Sequence, residues 1–166
     1  RVVVLLDGDG AIFSDDLLDR GMHGGLQAAQ RLSEGIERDL RATWRGGGFQ
    51  VWVFGFLNMH GLAGVLGRTH VIKAKKLEDF VLGFNKSNER FIMLDVGSTK
   101  DAADTKLTGC HDDGYAAKLR TLITEGYKSK LVLLQTYSDM AKEVSTLDLR
   151  WLTIPGLFRA NKIENP

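Results

Sequence analysis

The sequence predicts an α/β protein, a three-layer α/β/α Rossmann-like sandwich around a mostly parallel central sheet. Apolar runs of strand length, centred near Val4, Val53, Met93 and Leu133, alternate with longer segments of helical period. Strands that alternate with helices are joined by right-handed crossovers, which give a mostly parallel sheet covered on both faces. The first run ends at Asp7, where an open α/β sheet binds its ligands.

The first half of the chain predicts two strands and several helices. A strand at 2–6 is followed by Ser14, a helix N-cap for a short helix that runs to Arg20. Gly24 and Gly25 are expected to break the chain before a long amphipathic helix, which glycines 46–48 would end. The next elements are a strand at 49–57 and helices at 60–66 and 77–84.

The second half predicts the other strands of the sheet and one interruption. The predicted strands are 91–96, 130–136 and 151–154, and the helical segments are 100–107, 111–123 and 138–144. A buried strand is also expected between Leu107 and Gly109, but no apolar run is present there. Either the fold lacks this strand or residues are missing between Leu107 and Cys110, and we expect the second.

Length and composition favour one folded domain. The chain has 166 residues, 43% of them hydrophobic, so we expect a single domain over 1–166. Its net charge of +1 does not by itself indicate binding of nucleic acid. No apolar run approaches the roughly 20 residues of a membrane span, so no membrane partner is expected. The single cysteine, Cys110, predicts a reducing, intracellular compartment, cytoplasmic or nuclear. Because Arg1 leads directly into a strand, we expect a fragment of a longer protein without a signal peptide.

Carboxylates are the strongest candidates for a functional site. They follow the first and third strands or lie in the turns after them, at Asp7, Asp9, Asp95, Asp101, Asp104, Asp112 and Asp113. Carboxylates from different strand ends can surround a hard cation such as Mg²⁺, which activates a bound water for attack on a phosphoester. Asp101 and Asp113, like Asp15 and Asp16, are more typical of helix caps and first turns than of a metal site.

Two other groups of residues have weaker functional interpretations. Cys110 and His111 lack the further ligands, at characteristic spacing, that a zinc site requires. Lys73, Lys75 and Lys76 form a positive cluster that could contact phosphates, although a solvated helix start explains them equally well.

The ordered motifs resemble those of a known family. They are Val-Leu-Leu-Asp-Gly-Asp-Gly at 4–10, Lys-Asp-Ala-Ala-Asp at 100–104 and Cys-His-Asp-Asp-Gly-Tyr at 110–115. Together they resemble the NYN branch of the PIN-like nuclease superfamily. More narrowly, they are similar to a fungal NYN-type domain often found in proteins with CCCH zinc fingers.

The resemblance implies a ribonuclease that depends on Mg²⁺ or Mn²⁺ and hydrolyses RNA, in our expectation single-stranded, with an activated water. It implies that Asp7, Asp104 and Asp112 are the catalytic residues and hold the metal. Asp9 and Asp113 are candidates for a further ligand position. We also expect the backbone of RNA to contact Lys100 together with the cluster at 73–76. A homodimer or a protein partner is compatible with this assignment.

Two alternatives stay open at the level of the sequence. Gly114 stands where active PIN-like enzymes usually have another aspartate, which favours a domain that binds RNA or a protein without cutting. The turn at 7–12 also resembles the first motif of haloacid-dehalogenase-type phosphatases, with Asp7 as nucleophile and Asp9 as general acid/base. Ala11, and Leu57 with Asn58 after the second strand, depart from that second pattern.

Overall fold

Five strands and six helices form the part of the chain that the computed structural model describes: residues 1–44, 48–68, 72–97, 114–137, 142–161 and 163. The first seven elements are β1 (Val2–Asp7), α1 (Asp15–Asp19), α2 (Met22–Thr43), β2 (Val51–Leu57), α3 (Met59–Arg68), α4 (Ala74–Ser87) and β3 (Phe91–Asp95). After the undescribed residues 98–113 come α5 (Gly114–Thr124), a 3₁₀ turn (Lys128–Lys130), β4 (Val132–Gln135), α6 (Lys142–Ser145) and β5 (Arg150–Thr153). The predicted helical segment at 100–107, and the predicted helical residues 111–113 and 138–141, lie outside the described residues.

All strand pairs in the described residues are parallel, as the alternation of strands and helices predicted. The strands form two sheets, one in the order β1-β2-β3 and one in the order β4-β5. In the larger sheet Asp7 is paired with Phe56, and Phe56 with Leu94, so the three strands end at the same edge. The mixed α/β class is therefore confirmed, with two sheets instead of one central sheet in the described part.

The main core lies between the larger sheet and helices α2 and α4. Alternate residues of β2 are buried, because every second side chain of a strand faces the helices. The ring of Phe13 lies 5.0 Å from that of Phe80 and 5.1 Å from that of Phe158. Such aromatic pairs contribute about 0.5–1.5 kcal/mol each beyond their burial. They attach the loop after β1 to α4 and to the C-terminal segment.

The opposite face of the larger sheet is open at β1. Val3 and Leu5 are 62% and 53% exposed, and the strand register places them beside Trp52 and Phe54 on the same face. Leu94 of β3 is 45% exposed. The described helices therefore do not cover this face of β1, and a three-layer sandwich is not seen in this part of the chain.

Helix α2 begins earlier than the sequence predicted. It includes Gly24 and Gly25, which were expected to break the chain. A Cβ atom on Gly25 would lie 2.0 Å from the carbonyl oxygen of Phe80, and one on Gly83 would lie 2.0 Å from that of Met22. These glycines are required because the backbones of α2 and α4 approach too closely for any side chain. The expected break was wrong.

The C-terminal segment is held against the first half of the chain by polar contacts. The guanidinium of Arg150 donates two hydrogen bonds of 2.6 Å to the carboxylate of Asp39 on α2, and it stacks on the ring of Trp44 at 4.9 Å. The amide of Ser14 donates to the carbonyl of Leu157 at 3.0 Å. The smaller sheet is therefore anchored to α2.

The other predicted elements agree with the structure to within a few residues at their ends. The helices predicted at 60–66 and 77–84 are confirmed as α3 and α4, each longer by at least one residue at both ends. The strand predicted at 49–57 begins later, at Val51. No helix in the described residues has both the length and the hydrophobicity needed to cross a membrane.

Substitution of Gly25 by alanine should destabilise the fold strongly. The new methyl group would overlap the backbone of α4, and overpacking of this kind typically costs about 1–3 kcal/mol. Gly64, which has no atom within 4 Å of an added Cβ, is the matched control on helix α3. Gly64→Ala should be neutral or stabilise by up to about 1 kcal/mol, since alanine favours a helix. Urea unfolding followed by circular dichroism measures both, and equal effects would contradict the close approach.

Candidate functional site

Three carboxylates meet at the carboxyl edge of the larger sheet. Asp7 ends β1, Asp95 ends β3, and Asp9 lies in the turn after β1. Gly8, between Asp7 and Asp9, donates a hydrogen bond from its amide to the carbonyl of Phe56 at 2.6 Å. A Cβ atom on Gly8 would lie 2.7 Å from the Cβ of Leu57, so only glycine allows the turn to pack against the end of β2.

Backbone amides hold each of the three carboxylates. The amide of Asp9 donates to Oδ1 of Asp7 at 3.1 Å, and the amide of Asn58 donates to Oδ1 of Asp9 at 3.0 Å. Oδ1 of Asp95 accepts from the amides of Met59 and Gly97, both at 3.1 Å. Hydrogen bonds from amides to carboxylates are charge-assisted and fix their orientation. The side chains are thus positioned by three different segments of backbone.

The N-terminus of α3 also faces this edge. Asn58 precedes the helix and accepts a hydrogen bond from the amide of Gly61 through its side-chain oxygen at 2.8 Å, as a helix cap does. The amides of Asn58 and Met59 bind Asp9 and Asp95, so the positive end of the helix dipole lies against the acids. This contact offsets part of their mutual repulsion.

The negative charges of Asp7, Asp9 and Asp95 are not neutralised by basic side chains of the described residues. Burial raises the pKa of Asp9, and the charges of Asp7 and Asp95 raise it further, against the opposing effect of the hydrogen bond from Asn58. Among the described residues, no lysine or arginine forms an ion pair with any of the three acids. The edge of the sheet therefore carries negative charge that a cation would neutralise.

The donor chemistry fits a divalent cation, but the described residues do not form a complete ligand set. Carboxylate oxygens are what Mg²⁺ and Mn²⁺ bind. Within the described ranges, however, no three His, Cys, Asp or Glu side chains are placed so as to hold one metal ion. Asp9 turns both of its oxygens toward the amide of Asn58, at 3.0 and 3.2 Å. A metal would therefore need donors beyond Asp7 and Asp95.

Only part of the predicted site lies in the described residues. Asp7 and Asp9 are brought to one edge of the sheet, together with Asp95. Four other predicted site residues lie outside the described part of the chain: Asp104, Asp112, Asp113 and Lys100. Their convergence on Asp7 stays a prediction.

The predicted basic cluster is largely paired with acids. Nζ of Lys75 lies 2.9 Å from Asp79 and 3.6 Å from Glu78, and Lys76 forms an ion pair with Asp19 at 3.4 Å. In the described residues, Lys73 has no ion pair. Of the three lysines, Lys73 thus carries the least compensated charge for a phosphate.

Tyr137, which no sequence pattern singled out, lies close to the acidic edge. Its side chain is 3% exposed. Burial raises the pKa of Tyr137, a hydrogen bond from the backbone of Ile12 and the charge of Arg159 lower it, and the charge of Asp7 raises it. Its position two residues after β4, at the carboxyl end of a predicted strand, was a signal that could have been used.

Comparison with sequence families identifies a match to a domain of unknown function (DUF7923), over residues 1–109 and over residues 107–158. No curated protein and no solved structure matches the chain significantly.

Asp9→Asn should stabilise the protein at neutral pH. The folded protein keeps a proton on Asp9 at pH values where the unfolded chain has lost it, because its pKa is raised. The free energy of unfolding therefore falls as the pH rises through that range, and the asparagine removes this loss. Urea unfolding at several pH values should show a gain at pH 7 that disappears at acidic pH, below the ordinary pKa of aspartate.

Asp16→Asn is the control for this measurement. Asp16 is exposed, lies in the first turn of α1 and pairs with Arg20 at 2.9 Å, so its replacement should give no gain. A wild-type protein more stable than Asp9→Asn at pH 7 would contradict the assigned electrostatics.

Proposed function

The chain belongs to the DUF7923 family, and we propose that it is a divalent-metal-dependent ribonuclease. One observation carries the proposal: three carboxylates from two strand ends and an intervening turn share an edge of the sheet, without a basic partner among the described residues. The charges of Asp7 and Asp95 both raise the pKa of Asp9. The motifs that resemble NYN domains add RNA as the substrate class and hydrolysis as the reaction.

In this mechanism Asp7, Asp104 and Asp112 hold the metal, with Asp9 or Asp113 in a further ligand position. Asp7 is the best supported of these, because it ends β1 at the edge of the sheet and its side chain accepts a hydrogen bond from the amide of Asp9. When bound, Mg²⁺ or Mn²⁺ would polarise a phosphoryl oxygen and lower the pKa of a bound water.

Charge explains why a phosphodiester would need the cation at this edge. Asp7, Asp9 and Asp95 repel a phosphate as long as their charges are uncompensated. A divalent cation reverses the local charge and lets the backbone of RNA approach. The α3 amides that bind Asp9 and Asp95 keep these carboxylates in place during that exchange. Asp95 is thus a positioning residue for the start of α3.

We also propose that the whole domain is a three-layer α/β/α sandwich. The PIN-like fold is a three-layer α/β/α sandwich, and the parallel strands of both sheets are compatible with it. Single-stranded RNA would contact Lys100 and Lys73, and a homodimer or protein partner would be compatible with this use of the edge.

Asp7→Asn should abolish metal-dependent cleavage of RNA. Loss of a group that merely orients a metal ligand costs about 10–100-fold, so loss of the ligand itself should cost at least about 100-fold. The assay follows a labelled single-stranded RNA with Mg²⁺ or Mn²⁺, and with chelator as the blank. Asp16→Asn, an equally conservative change on an exposed helix start, should retain full activity.

The assay distinguishes the proposed ribonuclease from a domain that binds RNA without cutting it. Cleavage that survives Asp7→Asn would exclude the proposed mechanism. Metal-independent RNA binding by wild-type protein, with no cleavage in either cation, would favour the binding module that Gly114 suggested.

Lys73→Gln should weaken binding of RNA more than Lys75→Gln. Lys75 is already paired with Asp79 and Glu78, whereas Lys73 has no ion pair in the described residues. Loss of a single phosphate contact reduces the slope of log affinity against log salt by about one. Fluorescence anisotropy at several salt concentrations measures this slope, and identical slopes for the two variants would contradict the contact.

A phosphatase is a second candidate, favoured by the raised pKa of Asp9. A general acid must keep its proton near the working pH, and Asp9 departs from ordinary aspartate in that direction. Asp7 would then be the nucleophile. Hydrolysis of a small phosphoester, with a phosphate trapped on Asp7 and no cleavage of RNA, would replace the ribonuclease proposal.

A further inference from the structure

A groove of about 450 Å³ runs along the whole of β1 and separates it from β4. Its sides include Val4 and Leu6 of β1 and Val132 and Leu134 of β4, and Leu40 of α2 contributes to its floor. The exposed lining is predominantly apolar. Apolar surface of this kind between two strands is costly to leave in water.

The backbone of β1 presents an edge to this groove. On the side of β2, the amides of Val2 and Gly8 donate to the carbonyls of Gln50 and Phe56, at 2.8 and 2.6 Å. Because main-chain groups alternate sides along a strand, the amides of Val3 and Leu5 point away from β2. In the described part of the chain, β1 has no second neighbouring strand, and β4 pairs with β5. The groove therefore lies between two strand edges that can each accept a partner.

The order of the strands indicates what is missing. The described sheets have the orders β3-β2-β1 and β4-β5, and the groove separates β1 from β4. One parallel strand in the groove, entered between β3 and α5, would complete the doubly wound order 3-2-1-4-5-6. Residues 98–113 occupy that place in the chain, yet their sequence contains no run of four apolar residues.

The family match divides at the same place. One matched segment ends at residue 109 and the next begins at residue 107, immediately before the sequence that leads into α5. Two matched segments that meet and overlap there are what is expected if the family domain has residues for which this chain has no counterpart.

We propose that the groove is a binding site for one apolar β-strand, which runs parallel to β1 and which the family domain supplies between the positions of Leu107 and Cys110. The strand would accept hydrogen bonds from the amides of Val3 and Leu5 and bury its side chains against the groove. Its carboxyl end would reach the edge of the sheet beside Asp7, so the strand would also bring the following residues to the acidic cluster.

A peptide added in trans tests the site. The probe is Lys-Lys-Val-Ile-Val-Ile-Val-Lys-Lys, and the readout is hydrogen exchange of single amides in the full chain by nuclear magnetic resonance. Exchange at Val3 and Leu5 should slow by at least about tenfold when the peptide binds. The amide of Val53, which already donates to Arg90 at 2.9 Å, should change little and is the internal reference.

The matched control peptide replaces the central valine with proline, which removes one donor and fixes the backbone. It should give no protection. Equal protection by both peptides would overturn strand pairing. Protection that appears without peptide and rises with protein concentration would instead assign the groove to a second copy of the chain.

An insertion in cis tests the assigned source. The Val-Ile-Val-Ile-Val segment, flanked by Gly-Ser linkers, is placed between Leu107 and Cys110, and a Ser-Thr-Ser-Thr-Ser segment of equal length is the control. Only the apolar insertion should protect Val3 and Leu5 and raise the melting temperature. Binding in trans without protection by the insertion would overturn the assignment to this position of the chain.

Discussion

The close crossing of α2 and α4 is the constraint on which the rest of the structure depends. Gly25 lies against the backbone of Phe80, and Gly83 against that of Met22, so the distance between the helices is set by main-chain contact. Both helices pack on the face of the sheet that β2 buries. Farther along α2, Asp39 binds Arg150 and orients the smaller sheet. A displacement of α2 would therefore move both sheets.

Most strands could be predicted from the sequence, whereas the junctions between helices could not. The apolar runs at Val4 and Val53 predicted β1 and β2 because continuous apolar runs of this length are typical of strands. A glycine pair such as Gly24 and Gly25 has two physical meanings, a break or a close approach, and only the neighbouring helix distinguishes them. The open face of β1 was equally hidden, since five consecutive apolar residues indicate burial on both sides.

The candidate site divides in a similar way. Asp7 could be identified because it directly follows an apolar run of strand length, where a carboxylate is costly unless it has a role. The effect of Asp95 on the start of α3 depends on contacts between residues 36 positions apart, which spacing does not reveal. Pairing of Lys76 with Asp19 is likewise remote in sequence, whereas that of Lys75 with Asp79 is visible as an i,i+4 pair.

The hydrogen bonds to α3 have a mechanical consequence. The amides of Asn58 and Met59 are held by carboxylates that belong to the β1 turn and to β3, and not to the strand that precedes the helix. The first turn of α3 is thus hydrogen-bonded to two other elements, through carboxylates whose charge a bound cation would neutralise. Binding of a cation at the sheet edge would therefore change the strength of these two hydrogen bonds. The stability of the first turn of helix α3 therefore depends on the charge at this edge of the sheet.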